Sequence, residues 1–213
     1  MTTDQLPRTA MAVPPTTTAR RLLMPTVVVG VLAWTTGQGL LPDAGLEWPE
    51  RWDAVAAARG RQGVATALLF LAGCCLVITS GLLPRLSRAG RVGATLLGLG
   101  GVWLCSGRAA FNLQLLKATD LDRADGIAAL SASQGPTFVA FLPTLLALLA
   151  APVLLAVAAR RTAGASWLPL GLWVVGMALF LAGEFQVKAL EVAGTGLAGT
   201  GLILAVRALS RRC

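Results

Sequence analysis

Apolar residues in this chain are gathered into long runs that short clusters of charged and polar residues separate. A helix that crosses a hydrocarbon core of about 30 Å needs roughly 20 mostly apolar residues. The runs do not alternate with the period of two that a membrane β-strand requires. They are Leu22–Leu41, Val64–Leu83, Val92–Leu113, Phe138–Ala159, Trp167–Gly183 and Ala189–Val206. The pattern predicts an all-α, polytopic membrane bundle of six transmembrane helices.

Basic residues are distributed unevenly between the segments that connect these runs. Six spans put both termini on one side of the membrane, and short loops rich in Lys and Arg stay in the cytoplasm. The segments on the side of the termini carry eleven basic residues and one acid, whereas the opposite segments carry six basic residues and nine acids. We therefore expect both termini to be cytoplasmic and the membrane to be the inner (plasma) membrane.

The same pattern divides the chain into three regions. Residues 1–21 are rich in Pro and Thr and are expected to form a disordered cytoplasmic tail. Residues 22–207 form the six-helix transmembrane domain, and residues 208–213 form a basic cytoplasmic tail. The second outer loop, residues 117–137, is rich in Ser and Asp and is expected to be an irregular polar connection.

The first outer loop, residues 42–63, contains the signals of a short helix. Pro49 stands at a first helical position, acids follow in the first turn, and Gly60 marks an end. Trp48 and Trp52 would share one face of this helix. We favour an interfacial helix with its Trp rings among the lipid headgroups over a lid that closes on a ligand.

Composition excludes several functions. The chain is 55% hydrophobic and 13% charged, and it contains no His and no Tyr. A Ser-His-Asp triad, an imidazole-ligated haem and an ordinary zinc-hydrolase site are thus excluded, and no metal or other cofactor is predicted. The net charge of +8 comes from arginines scattered at span ends. Membrane lipids, and not nucleic acid, are therefore the expected partners.

Glycines recur at regular intervals inside the runs. Gly194, Gly196 and Gly199 match a dinucleotide-binding pattern, but no strand precedes them and no acid follows at the required distance. Together with Gly93, Gly100 and Gly107, and with Gly30 and Gly37, they predict faces where helices pack closely.

A polar set near the outer ends of the spans supplies the candidate ligand-binding residues, which are Gln38, Arg108, Asn112, Glu184, Lys188 and Glu191. Arg108 lies about 24 Å along the third span, at 1.5 Å per residue. Charged residues at membrane depth usually face the bundle interior and mark a pathway or a ligand site. The alternative is structural, because Arg108 could reach the headgroups or pair with Glu184 or Glu191.

Two functions agree with these features. The first is a non-enzymatic membrane protein that binds or passes a small or lipidic ligand, or that serves as an accessory subunit. The second is an intramembrane enzyme for a lipid or isoprenoid, with a Glu as acid or base and Arg108 as an anion clamp. Catalytic residues remain unassigned, and association with itself or with other membrane proteins is left open.

The chain resembles the uncharacterised small six-span integral membrane proteins of high-GC bacteria. The resemblance extends from Leu22 to Arg207 and rests on span count, on Pro42–Asp43 after the first span, on the inner segment Arg85–Arg91, and on Arg160–Arg161 after the fourth span. Such proteins often carry His near the outer ends of their spans, whereas this chain has none. The resemblance therefore implies the topology, while the absence of His in this chain argues against a metal- or haem-linked role.

Overall fold

The structure, a computed structural model, describes residues 17–43, 47–83, 87–185 and 187–211, without the side chains of residues 17–20, 184 and 185. Across these ranges the chain is helical and has no strand, which confirms the all-α prediction. Residues 1–16 of the predicted N-terminal tail and residues 212–213 of the C-terminal one lie outside the described residues. The first helix already begins at Thr17, and the last ends at Ser210.

The helices follow one another with short connections. Their bounds are α1 Thr17–Leu40, α2 Trp48–Ala57, α3 Arg59–Leu82, α4 Arg88–Val102, a π-helical turn Trp103–Arg108, α5 Ala109–Ala118, α6 Arg123–Ala163, α7 Leu168–Phe185 and α8 Lys188–Ser210. Helix α4, the π turn and α5 form one continuous rod, Arg88–Ala118. The short helix predicted in the first outer loop is confirmed as α2.

Several of these helices have the length and composition of membrane spans. Within the described ranges, five helical segments are long and apolar enough to cross a membrane, and the sixth predicted span corresponds to a shorter apolar helix, Leu168–Gly183. Large apolar side chains point outward from them, for example Leu32 at 61% exposure and Val139 at 68%. An apolar exterior of this kind is compatible with an integral membrane protein.

The second outer loop was predicted to be irregular, and this prediction is wrong. Helix α6 begins at Arg123 and runs without interruption for 41 residues, about 60 Å at 1.5 Å per residue. Its polar first part is helical because Gly126, Leu130 and Gln134, spaced by four, are all buried on one face. Asp125 and Ser131 are exposed on the other face. Helix α6 therefore extends well beyond the thickness of a hydrocarbon core.

Glycines mark the closest helix contacts, as the sequence predicted. A Cβ added at Gly194 would lie 2.6 Å from the backbone oxygen of Gly176, where α8 crosses α7. Added Cβ atoms would also be closer than 3.2 Å to a side chain or backbone atom at Gly30, Gly37, Gly93, Gly100, Gly107 and Gly199. Gly196 is looser, with its nearest neighbour at 3.8 Å. The dinucleotide-like glycine pattern is therefore largely a helix-packing surface.

Candidate ligand-binding site

The π turn lies where the rod of α4 and α5 passes the middle of α6. A π turn inserts one residue into the helical register, and such turns are frequent at functional sites. The residues of this one include Trp103, Leu104 and Arg108, which line a cavity. Gly107 lies under the Trp103 ring, so any side chain at position 107 would displace it. The local sequence thus directs a large aromatic ring and a guanidinium group toward the same space.

An apolar cavity of about 350 Å³ lies between the π turn, α1, α6 and α7. Trp34 and Trp103 form part of its wall, and the ring of Trp103 meets that of Phe138 edge-on with centroids 6.3 Å apart. The other lining residues are Gln38, Arg51, Leu104, Arg108, Phe111, Leu145, Leu148, Leu149, Met177, Phe180 and Leu181. Among the described lining residues the charged groups are the two arginines, so this cavity suits a hydrocarbon chain near a negative group.

The exposed lining residues of the apolar cavity lie on α6 and α7, which indicates an opening between these two helices. Phe138 on α6 and Leu181 on α7 both line the cavity, yet they are 44% and 51% exposed. Neighbouring outward residues of α6, such as Val139, are apolar as well. The opening therefore faces the surface that hydrocarbon would cover if α6 and α7 lie in a bilayer.

A smaller polar cavity of about 90 Å³ adjoins the apolar one, because Arg51, Arg108 and Phe111 line both. The guanidinium carbon of Arg108 lies 5.7 Å from the centroid of the Phe111 ring. The remaining lining residues are Leu41, Pro42, Asp43, Val55, Gln62, Asn112, Leu115, Gly183, Lys188 and Glu191. The two cavities together form an amphipathic site, with charged and amide groups at one end and rings and aliphatic groups at the other.

Glu191 is the buried carboxylate of the polar cavity and is only 5% exposed. Its Oε2 accepts a hydrogen bond of 2.6 Å from the Lys188 ammonium, and its Oε1 accepts one from the Gln38 amide. Removal of a carboxylate from water costs several kcal/mol unless it is paired and hydrogen-bonded, and both conditions are met here. The network joins α1 to the beginning of α8.

Two amide side chains line the polar cavity without using all of their donors. Gln62 is 1% exposed and Asn112 is 2% exposed. The Nε2 atom of Gln62 and the Nδ2 atom of Asn112 have no hydrogen-bond partner among the described residues. A buried donor without a partner costs about 1–3 kcal/mol, so these groups indicate an acceptor that belongs in the cavity.

Helix α2 covers the outer side of the polar cavity. The Nε1 atom of Trp52 donates a 3.0 Å hydrogen bond to the Ala118 carbonyl at the end of α5. Asp53 accepts two hydrogen bonds from the guanidinium group of Arg123, at 2.8 and 2.7 Å, and these bonds lower the pKa of Asp53 below its usual value. Arg51 of α2 lines both cavities. The Trp52 ring thus packs on protein at the end of α5 and the start of α6.

The structure brings most of the predicted site residues together. Arg108, Asn112, Lys188 and Glu191 line the polar cavity, and Gln38 lines the apolar cavity while it bonds to Glu191. The side chain of Glu184 lies outside the described residues, although its neighbour Gly183 lines the polar cavity.

Sequence reasoning missed Gln62 and Arg51. The sequence contains a signal that could have identified Gln62. It is an amide side chain at the start of an apolar run, and it lies one helical turn from residues on the buried face of α3. Arg51 was counted only among the loop charges, and its position over the cavity depends on how α2 folds back.

In the part of the chain that the structure describes, the acidic groups do not form a metal site. Within the described ranges, no group of three or more His, Cys, Asp or Glu residues could hold an ion. Asp120, one of the acids in the second outer loop, pairs with Arg59 instead.

In comparisons with known protein families, curated proteins and solved structures, nothing matches this chain.

Proposed function

We propose that this protein is a plasma-membrane protein that binds a lipidic amphiphile. The acyl or prenyl chain occupies the apolar cavity, and the polar head occupies the small cavity beneath α2. The observation that carries the proposal is the junction of the two cavities at Arg51, Arg108 and Phe111. An amphiphile has the same division into an apolar and a polar part within one molecule.

The volumes support this assignment. Ligand pockets of about 300 Å³ or more are typical of small-molecule sites that have apolar walls and a few placed polar groups. Each methylene transferred from water into an apolar cavity contributes about 0.8 kcal/mol. A ligand that enters from the bilayer gains less, because its chain is already in hydrocarbon, so specificity depends on the polar end.

Orientation follows from the charges at the helix ends. We place both termini in the cytoplasm and all six apolar helices across the plasma membrane, with α7 as the shortest span. The arginine-rich segments then contact the cytoplasmic leaflet, and the polar cavity lies beneath α2 near the level of the outer headgroups. The ligand would accordingly enter from the outer leaflet between α6 and α7.

Binding is favoured over the enzymatic alternative by the state of Glu191. A general acid or base must exchange a proton with its substrate at the cavity. Glu191 instead accepts hydrogen bonds from Lys188 and Gln38, so both of its carboxylate oxygens are already engaged by side chains of the protein. The carboxylate therefore acts as a structural anchor between α1 and α8.

Fluorescence quenching tests this proposal. Trp34 and Trp103 are only 4% and 9% exposed, so bromine atoms on a lipid chain reach them only from within the cavity. We expect dodecyl phosphate that is brominated at the end of its hydrocarbon chain to quench the tryptophan fluorescence of the purified, full-length protein in nanodiscs. The quenching should saturate as the concentration of the brominated ligand rises.

The matched variants identify the origin of the quenching. The double variant Trp34→Phe/Trp103→Phe should lose the saturable part, whereas Trp167→Phe, which removes a ring that is 53% exposed, should retain it. Quenching that grows linearly with concentration and is the same in both variants would refute chain binding in this cavity.

A further inference from the structure

We propose that a groove between the start of α7 and the end of α8 binds the headgroup of an anionic phospholipid. The groove lies at the end of the bundle opposite the polar cavity, because Arg207 is about 24 Å further along α8 than Glu191, at 1.5 Å per residue. The inference is therefore independent of the proposed function. The occupant to which we commit is a lipid of the leaflet that contacts the arginine-rich helix ends.

The groove has a volume of about 200 Å³ and two walls. Four residues of α8 form one wall and share a face of the helix, since they are three or four positions apart, and they are Leu204, Arg207, Ala208 and Arg211. Leu168 and Pro169 at the start of α7 contribute to the other wall. The helices cross closely beside it, where a Cβ added at Gly201 would lie 2.5 Å from the Pro169 carbonyl oxygen. This crossing fixes the position of one wall relative to the other.

Arg160 fixes the connection that completes the wall opposite α8. Its Nη1 atom donates a 3.0 Å hydrogen bond to the Ala165 carbonyl, and its guanidinium carbon lies 5.9 Å from the centroid of the Trp167 ring. Ala165 and Ser166 of this connection line the groove. The groove is thus formed by contacts within the protein before any lipid binds.

The two arginines of the groove have no acidic partner in the described ranges. Neither Arg207 nor Arg211 forms an ion pair there. The chain segments at this end of the bundle contain no Asp or Glu, and they are residues 17–21, 83–91, 160–168 and 204–211. Two cations four residues apart on a helix repel each other, and a bound anion relieves that repulsion. Arginine pairs with phosphate in bidentate geometry, so a phosphate group is complementary to this pair.

Apolar side chains around the groove indicate that the anion carries hydrocarbon chains. Leu168 lines the groove and is 57% exposed, and the neighbouring Trp167 is 53% exposed. Trp rings are enriched at the level of the lipid headgroups, and Leu168 would contact acyl chains beside them. Leu204 and Ala208 add apolar surface within the groove. A free phosphate ion would contact the arginines alone, whereas a phospholipid uses both the charged and the apolar surface.

The experiment compares two lipids that differ only in the headgroup. Native mass spectrometry measures the binding of phosphatidylglycerol and of phosphatidylcholine with identical acyl chains to the purified, full-length protein. Each arginine near an anionic lipid contributes about fivefold in affinity, so we expect phosphatidylglycerol to bind about 25-fold more tightly. The variants Arg207→Gln and Arg211→Gln should each lower this preference about fivefold, and the double variant should abolish it.

The double variant Arg88→Gln/Arg161→Gln is the matched control. Both arginines are exposed and lie at the same end of the bundle, but they line neither this groove nor the two outer cavities. Its net charge equals that of Arg207→Gln/Arg211→Gln, and its preference for phosphatidylglycerol should remain within about twofold of that of the unsubstituted protein. Arg207 and Arg211 are exposed as well, so both double variants should keep the unfolding temperature of the unsubstituted protein in detergent.

Ala208→Phe tests the groove apart from its charges. The larger ring fills part of the groove while both arginines remain. We expect the affinity for phosphatidylglycerol to fall at least about fivefold, because the phosphate can no longer lie between the arginines and the wall formed by α7. An unchanged affinity in a folded Ala208→Phe variant would contradict binding within the groove.

The remaining outcomes decide what occupies the groove. Equal losses of preference in the two double variants would mean a general attraction between basic helix ends and anionic lipid, and the groove assignment would fail. Equal affinities of the unsubstituted protein for the two lipids would also overturn it. If inorganic phosphate raises the unfolding temperature as much as phosphatidylglycerol does, the occupant is a free anion and the lipid assignment is wrong.

Discussion

Leu145→Trp is expected to weaken the binding of dodecyl phosphate about 30-fold when the ligand is titrated from water. Leu145 lines the apolar cavity from α6 and is half-buried. An indole ring at this position would occupy space that the hydrocarbon chain of the ligand needs. It would displace two to three methylene groups of that chain from the cavity. At about 0.8 kcal/mol for each methylene, the loss is about 2 kcal/mol, or roughly 30-fold in Kd. Calorimetric titration of the purified variant measures it.

Leu146→Trp is the control for this variant. Leu146 is the next residue on α6, is 55% exposed and does not line the cavity. The Leu146→Trp substitution adds the same side-chain volume, but on the side that faces the surrounding lipid. The affinity of this variant for dodecyl phosphate should therefore remain within about twofold of that of the unsubstituted protein. Equal losses of affinity for dodecyl phosphate in both variants would mean that the hydrocarbon chain of the ligand does not occupy this cavity.

Gly176→Ala is expected to destabilise the fold by about 2–3 kcal/mol, in the range of overpacked interiors. Gly176 lies where α7 crosses α8, and an added Cβ would lie 2.6 Å from the Gly194 backbone oxygen and would also overlap the Ala198 backbone. These neighbours are backbone atoms of a helix and cannot rotate away. The two helices must therefore separate along their contact, which lowers the free energy of unfolding in detergent titrations.

Gly171→Ala supplies the comparison within the same helix. An added Cβ at Gly171 meets no atom within 4 Å, and the residue is exposed. Alanine is a better helix former than glycine by up to about 1 kcal/mol, so this variant should unfold at the same or a slightly higher denaturant concentration. A Gly176→Ala variant as stable as Gly171→Ala would contradict the close packing of α7 on α8.

Much of the fold could be predicted because hydrophobic length is a local property of the sequence. The apolar runs could be predicted as spans from one quantity, the length of helix that crosses a hydrocarbon core. These runs correspond to α1, α3, α4, α6 and α8. The glycine spacing was equally informative, since a missing side chain matters wherever helices approach closely. The first part of α6 was missed because its Ser and Asp residues obscured a buried face spaced by four, at Gly126, Leu130 and Gln134.

The candidate site was only partly predictable. Depth along each span could be counted from the sequence, and the residues placed by this count, Arg108, Asn112 and Gln38, all line the two adjoining cavities. The partners of Glu191 were harder to predict, because its hydrogen bond with Gln38 joins residues that are 153 positions apart in the sequence. Arg51 enters the site only because α2 folds back over the end of α5, and no local pattern determines that return.

The central claim is that an amphiphile chain lies inside the bundle, and photolabelling tests it most directly. Dodecyl phosphate with a diazirine at the chain end is added to the full chain in nanodiscs, illuminated, and mapped by mass spectrometry. The account predicts labels on residues that line the cavity, such as Leu145, Leu148 and Met177, and their loss when excess unlabelled dodecyl phosphate is present. Labels confined to outward residues such as Val139, Leu146 and Val174, unaffected by competitor, would contradict it.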